Sequence, residues 1–222
     1  MNELAIRVKE DGSVAVEEIK DGVKSYKAIT PDSLLACINS SLLRGKVSSG
    51  LLPKGCISFT AHDNGDKDVC ILHPENKTDL NFLGTEYPGL PIPRLVFGFQ
   101  VSKEGRIGSR RLGVIAAGSI IKPDTQMYHY PLSNVSGFSI CTGNNVFPKC
   151  ESLHTLASLA YLIMAMPNNL DHFRPDNNKL GLEMRDLLEL LKDKTQEFYY
   201  SDALVPNGKI LNDFITGRSL VQ

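Results

Sequence analysis

The first thirty residues alternate. Leu4, Ile6 and Val8 are separated by polar or small neighbours, Asp11-Gly12 follows, and Val14 and Val16 resume the pattern. A period of two around an Asp-Gly pair predicts a β-hairpin, because the apolar positions then share one face and the pair accepts a tight turn. A third short strand is expected over 23–28, after Asp21-Gly22. The period then changes, with Leu34, Leu35, Ile38 and Leu42 recurring at helical spacing behind Thr30-Pro31, an N-cap followed by a first-turn proline. This helix is expected to pack on the hairpin, with Cys37 on its apolar side.

A linker at 46–53 leads to strand-like runs at 56–61, 68–72 and 80–83, separated by turn signals at Asn64-Gly65 and Pro74-Glu75-Asn76. An antiparallel meander is the natural reading, and it sets Cys56 and Cys70 across the first turn from each other. Residues 84–93 carry Pro88, Pro91 and Pro93 and read as a loop. The stretches 94–101 and 111–117 read as a hairpin around Lys103-Glu104-Gly105. Residues 153–166 are apolar nearly all round, so a helix there is expected to be buried on several sides. It is too short to cross a bilayer. From Leu180, one apolar stripe through Met184, Leu187, Leu188 and Leu191 predicts a surface helix, and the tail from Pro206 either docks or frays. The chain divides on this reading into an N-terminal extension (1–50), a main domain (51–200) and a C-terminal tail (201–222).

Composition narrows the class. Hydrophobic residues at 42% and charged residues at 22% are ordinary globular values. A formal net charge of -1 supplies no general pull toward nucleic acid or an anionic membrane. Arg106 and Arg110-Arg111 form the one local basic patch, read as a solvated strand face. Five scattered cysteines, an odd number, do not make a disulfide framework, and the N-terminus has no apolar signal core. A cytoplasmic protein with free thiols is the expectation.

Residues 128–141, YHYPLSNVSGFSIC, turn at Ser136-Gly137 and deliver Cys141 to the end of a short strand, 138–140. An isolated cysteine is either a nucleophile or a small buried hydrophobe. His129 is either a base for it or a structural residue of the loop. Cys141, Cys150 and His154 have spacing that zinc accepts, but a fourth ligand would have to be His129 or Cys56, and no CxxC pair is present.

The order of these residues resembles the ubiquitin-conjugating enzymes. His129, Pro131 and Asn134 precede Cys141, and the apolar helix ends in Pro167-Asn168 followed by Asp171 and His172. The family's compact His-Pro-Asn tripeptide is spread out here, and the Trp usual after its cysteine is absent. Over roughly residues 90–175 the chain is most similar to the bacterial branch called prokaryotic family D, which includes the B protein of the PRTRC system. The resemblance implies an α+β, ubiquitin-conjugating-like fold: an antiparallel β-meander with a buried crossing helix, plus the N-terminal hairpin and helix. It implies no cofactor and no metal. Cys141 would carry a ubiquitin-like protein as a thioester, and Asn134 would donate to the oxyanion or hold the loop that does so. The plainer reading of Asn134 is a turn residue bonding backbone near Ser133 and Ser136. Asp171 would orient the incoming acceptor, with His172 as a candidate base, against the plainer reading of both as exposed loop residues. The implied partners are a ubiquitin-like protein and an adenylating activating enzyme, encoded in the same operon; the acceptor is a lysine, a hydroxyl or a small molecule. The rivals are a non-catalytic adaptor, for which Cys141 should be buried, and a plasmid or phage-defence scaffold with no affinity for such partners.

Overall fold

Alternation at the start of the chain becomes a three-stranded antiparallel sheet in the computed structural model, which describes residues 3–42, 48–118 and 120–217. Contacts divide the chain into two units, residues 1–48 and 49–222. In the first, β1 (Glu3–Val8), β2 (Val14–Lys20) and β3 (Val23–Ile29) lie in that order, and α1 (Pro31–Leu42) follows. Thr30 caps α1 by accepting a hydrogen bond from the Ser33 N–H at 3.1 Å. Ile6 stands opposite Val16 and Val8 opposite Val14, so the apolar residues share one face. On the other face the Glu17 carboxylate accepts from Arg7, Lys24 and Tyr26; the Lys24 hydrogen bond, first among these, holds its pKa below the usual carboxylate value. The packing expected of α1 is not found. Leu35 and Ile38 are exposed, as are Leu4, Ile6 and Val8, and Cys37 is exposed rather than core. Among the described large apolar residues of this unit, one layer of three short strands with a two-faced helix buries only Val14. The expected linker begins at Lys46, outside the described residues, which resume at 48.

The second unit is built on a larger antiparallel sheet. Its chain order is β4 (Cys56–Ala61), β5 (Lys67–His73), a hairpin of β6 (Asn76–Phe82) and β7 (Thr85–Ile92), then β8 (Leu95–Val101), β9 (Ile107–Ile115), β10 (Gln126–Tyr128), β11 (Val135–Ser136) and β12 (Ser139–Ile140). The strands are arranged β11-β12-β9-β8-β5-β4, and β10 bridges β9 to β13 (Pro206–Ile210). The loop expected at 84–93 is instead a strand. Because β7 pairs only with β6, its prolines need no second ladder, and Pro88 sits where the register slips between Thr78 and Leu80. Tyr87, Leu90 and Ile92 of β7 are buried.

Helices cover both faces of the sheet. Val69, Ile71, Phe97, Phe99, Leu112 and Val114 face α2 (Leu156–Met164) and α3 (Met184–Leu191) in one apolar cluster. After the short α4 (Gln196–Phe198), the tail turns back as β13 and α5 (Leu211–Thr216), whose Leu211 and Phe214 cover Cys70, Val96 and Ile115 on the opposite face. The tail therefore docks. Arg111 is buried, not solvated, and donates to the Phe214 carbonyl while its guanidinium lies 5.0 Å over the Phe214 ring. Cys70 stands opposite Ser58, and Cys56 opposite Ile71; Cys56 packs on the face under α2 and Cys70 on the face under α5, so the expected cross-strand pair of thiols is not formed. Helix α2 buries one face through Leu156, Leu159, Ala160 and Ile163 but leaves Tyr161 and Leu162 exposed, which corrects the expectation of burial all round. Helix α3 starts at Met184, because Gly181 breaks the stripe at a positive φ of 62°. Among the described residues no helix is long and apolar enough to cross a membrane.

Candidate functional site

The site begins where β10 releases the chain. His129 donates its backbone N–H to the Val205 carbonyl at 2.9 Å, and Leu132 and Ser133 are buried as the strap crosses the core. Burial, with the Arg174 charge adding to it, lowers the pKa of His129. At Asn134 the backbone enters the left-handed region with φ of 65°, a conformation that asparagine tolerates better than most residues. Strands β11 and β12 then form a tight hairpin, Val135 opposite Ile140 and Ser136 opposite Ser139. Its turn contains Gly137 at φ 58°, as the Ser136-Gly137 signal predicts.

This hairpin brings Cys141 back beside Asn134. The Cys141 N–H donates to the Asn134 carbonyl, and the Asn134 N–H donates to the Asp171 carbonyl, both at 2.8 Å. One residue therefore clasps the cysteine on one side and the acidic loop on the other. The Asn134 side chain reinforces the clasp, its Nδ2 donating to the Pro167 carbonyl at 3.2 Å. Cys141 is half-buried, while Cys70 and Cys150 are buried.

The loop after α2 is fixed from below and from within. Asn168 is buried; its Oδ1 accepts from the Ser133 hydroxyl at 2.8 Å and its Nδ2 donates to the Met166 carbonyl at 3.3 Å. Its backbone N–H donates to the Asn81 carbonyl at 2.7 Å, and its carbonyl accepts from Leu83, which ties the loop to the β6–β7 hairpin. Asn169 then accepts from the Asp171 N–H at 2.6 Å and donates Nδ2 to the Asp171 carboxylate at 2.8 Å. Asp171 is exposed, with its carboxylate oriented by its neighbour. His172, also exposed and at φ 61°, makes no side-chain hydrogen bond among the described residues.

The structure thus brings together Cys141, Asn134 and Asp171, and it leaves His172 beside Asp171 without a bond to the others. A small, partly open cavity of about 20 Å³ lies behind the clasp, lined in part by Tyr130, Ser133, Asn134, Met166 and Asn168, room for about one water. The zinc grouping is not formed. His154 Nδ1 shares a hydrogen bond with the Ser152 hydroxyl at 2.8 Å, Cys150 donates to the Ser152 carbonyl, and no three metal-ligating side chains gather among the described residues. Sequence reasoning missed the buried Ser133–Asn168 pair and Asn145, whose Nδ2 donates to the Thr142 carbonyl at 2.9 Å and holds the strap after Cys141. Only tertiary pairing between distant loops gives Ser133 and Asn168 their role, whereas Asn145 closes a local turn onto Thr142, and no local period marks any of them.

The comparisons with known proteins fall on this unit. A family model, prokaryotic E2 family D, matches residues 52–206, from just before β4 to the first residue of β13. No curated protein and no solved structure matches the chain significantly. The match covers most of the chain and every residue of the clasp, and the chain belongs to prokaryotic E2 family D.

Proposed function

We propose that the protein accepts a ubiquitin-like protein as a thioester on Cys141 and passes it to an acceptor. The observation that carries this reading is the clasp: a half-exposed cysteine and an oriented carboxylate loop joined through the peptide groups of Asn134, in a member of this family. On this reading the β4-β5-β8-β9 meander with α2 across it is the ubiquitin-conjugating fold, and the partners are a ubiquitin-like protein and an adenylating activating enzyme.

In the first step the Cys141 thiolate attacks the thioester carbonyl on the activating enzyme. A C–S bond forms at Cys141, the older C–S bond breaks, and the departing thiolate takes up the proton that Cys141 lost. Little energy separates the two thioesters, so the protein's task is positioning. In the second step an acceptor amine attacks the Cys141 thioester, the C–S bond breaks with Cys141 leaving as the thiolate, and the amine's proton goes to the Asp171 carboxylate and on through water to that thiolate. The Asn134 amide has a second N–H beyond the one that holds Pro167, and it serves the oxyanion of this step. Losing one such donor typically costs ~2.7–4 kcal/mol in the transition state.

The test incubates the purified protein with the activating enzyme, the ubiquitin-like protein and ATP, followed by a non-reducing gel. A reductant-sensitive band that vanishes in Cys141→Ser is expected. Binding of the ubiquitin-like protein without any adduct, when the activating enzyme itself is charged, would leave an adaptor instead.

A further inference from the structure

The loop after Cys141 does more than return the chain to α2. Residues 145–149 form one wall of an open groove of about 710 Å³, and Arg106, Ile107 and Arg110 of the β8–β9 hairpin form the other. The two walls are locked together at the hairpin tip, where the Cys150 N–H donates to the Gly105 carbonyl at 2.8 Å. Gly105 has a φ of 82°, and a Cβ there would collide with the Cys150 carbonyl, so only glycine allows this approach. The other end of the wall is tied to the site, because Asn145 bonds the carbonyl of Thr142, the residue after Cys141.

Three cations line this groove, and Arg106 is partly offset by the charge of Glu104 beside it. Arg106, Arg110 and Lys149 make no ion pair among the described residues, and the one carboxylate in the lining, Glu104, bonds the Ser102 hydroxyl at 3.0 Å. Arg110 lies 5.0 Å over the Phe147 ring, which restricts its guanidinium, and its Nε is buried without a hydrogen-bond partner. Beside these charges stands apolar surface with nothing on it. Val146 is 93% exposed, the highest value of any large apolar side chain described.

We propose that this groove receives an acidic peptide segment of a protein partner, with carboxylates on Arg106, Arg110 and Lys149 and an apolar side chain against Val146. Guanidinium groups suit carboxylates in two-point hydrogen bonds. A nucleic acid fits the same surface less well, because the face of Phe147 that a base would stack on is taken by Arg110. The groove continues the Cys141 loop, so its occupant is held next to the site. The proposal does not rest on thioester chemistry, since an adaptor would use the groove equally.

The test is fluorescence anisotropy of the full chain with a labelled peptide of alternating Glu and Leu, at several salt concentrations. Arg106→Gln with Lys149→Gln, both exposed positions, should weaken binding about tenfold, given the modest value of each exposed charge pair. Adding Arg110→Gln should weaken it further, while Lys77→Gln with Lys122→Gln, equally exposed but outside the groove, should leave it unchanged. No binding at low salt, or equal losses in the control pair, would overturn the proposal. A single-stranded oligonucleotide of equal charge that binds more tightly through the same three residues would also overturn it, in favour of phosphate.

Discussion

Cys70 and Cys141 belong to one sheet and have opposite fates. Cys70 lies mid-strand in β5, paired on both sides by β4 and β8 and covered by Phe214 of the returning tail. Burial pushes its thiol up to about 11, so it is a packing residue with a sulfur atom. Cys141 follows β12 at the margin of the sheet, half-exposed, with its N–H on Asn134 rather than inside a full ladder. Residue type is the same in both places. What differs is the number of strands and helices that close over each, and that is a property of topology. The sheet has an interior where a thiol is inert and an end where the chain must leave it, and the cysteine proposed to react sits at the end.

Two experiments break or sharpen that contrast. The larger effect concerns Cys70. A folded-state pKa raised above the unfolded value stabilises the protein below the unfolded pKa, and the gain is lost as pH rises toward the folded pKa. The stability margin of the native protein over Cys70→Ala should therefore shrink by about 2–3 kcal/mol between about pH 9 and pH 11, followed by urea unfolding at each pH. A margin independent of pH would show that Cys70 is not held neutral by the core. The smaller effect concerns the clasp. Asn134→Ala should cost about 1–2 kcal/mol, because alanine resists the left-handed backbone and loses the Pro167 bond, whereas Asn134→Gly should recover most of it in the same assay. Equal losses in both variants would mean that the side chain alone carries the clasp.

Much of this was legible in the sequence because it is local. The Asp11-Gly12 and Ser136-Gly137 turns, the β8–β9 hairpin and the end of α2 shortly before Pro167 all follow from residues that restrict their own backbone. The order of Asn134, Cys141 and Asp171 was equally readable, since sequence order carries the resemblance. What failed was non-local. Strand β7 hid behind Pro88 and Pro91, because an edge strand can hold prolines when only one ladder needs its N–H groups. Arg111 read as solvated, yet an acceptor more than a hundred residues away, the Phe214 carbonyl, made its burial tolerable. The Ser133–Asn168 pair was invisible for the same reason. In the first unit the periodicity did predict the elements, but it could not say that Leu35 and Ile38 would stay exposed.

The most direct test of the central claim is the mass of the peptide that contains Cys141 after the protein has been charged by the activating enzyme with the ubiquitin-like protein and ATP. The account predicts that this peptide carries the C-terminal residues of the ubiquitin-like protein in a thioester cleaved by hydroxylamine, and that peptides containing Cys56, Cys70 and Cys150 are unmodified. A thioester on any other cysteine, or none at all from a fully charged activating enzyme, would contradict it.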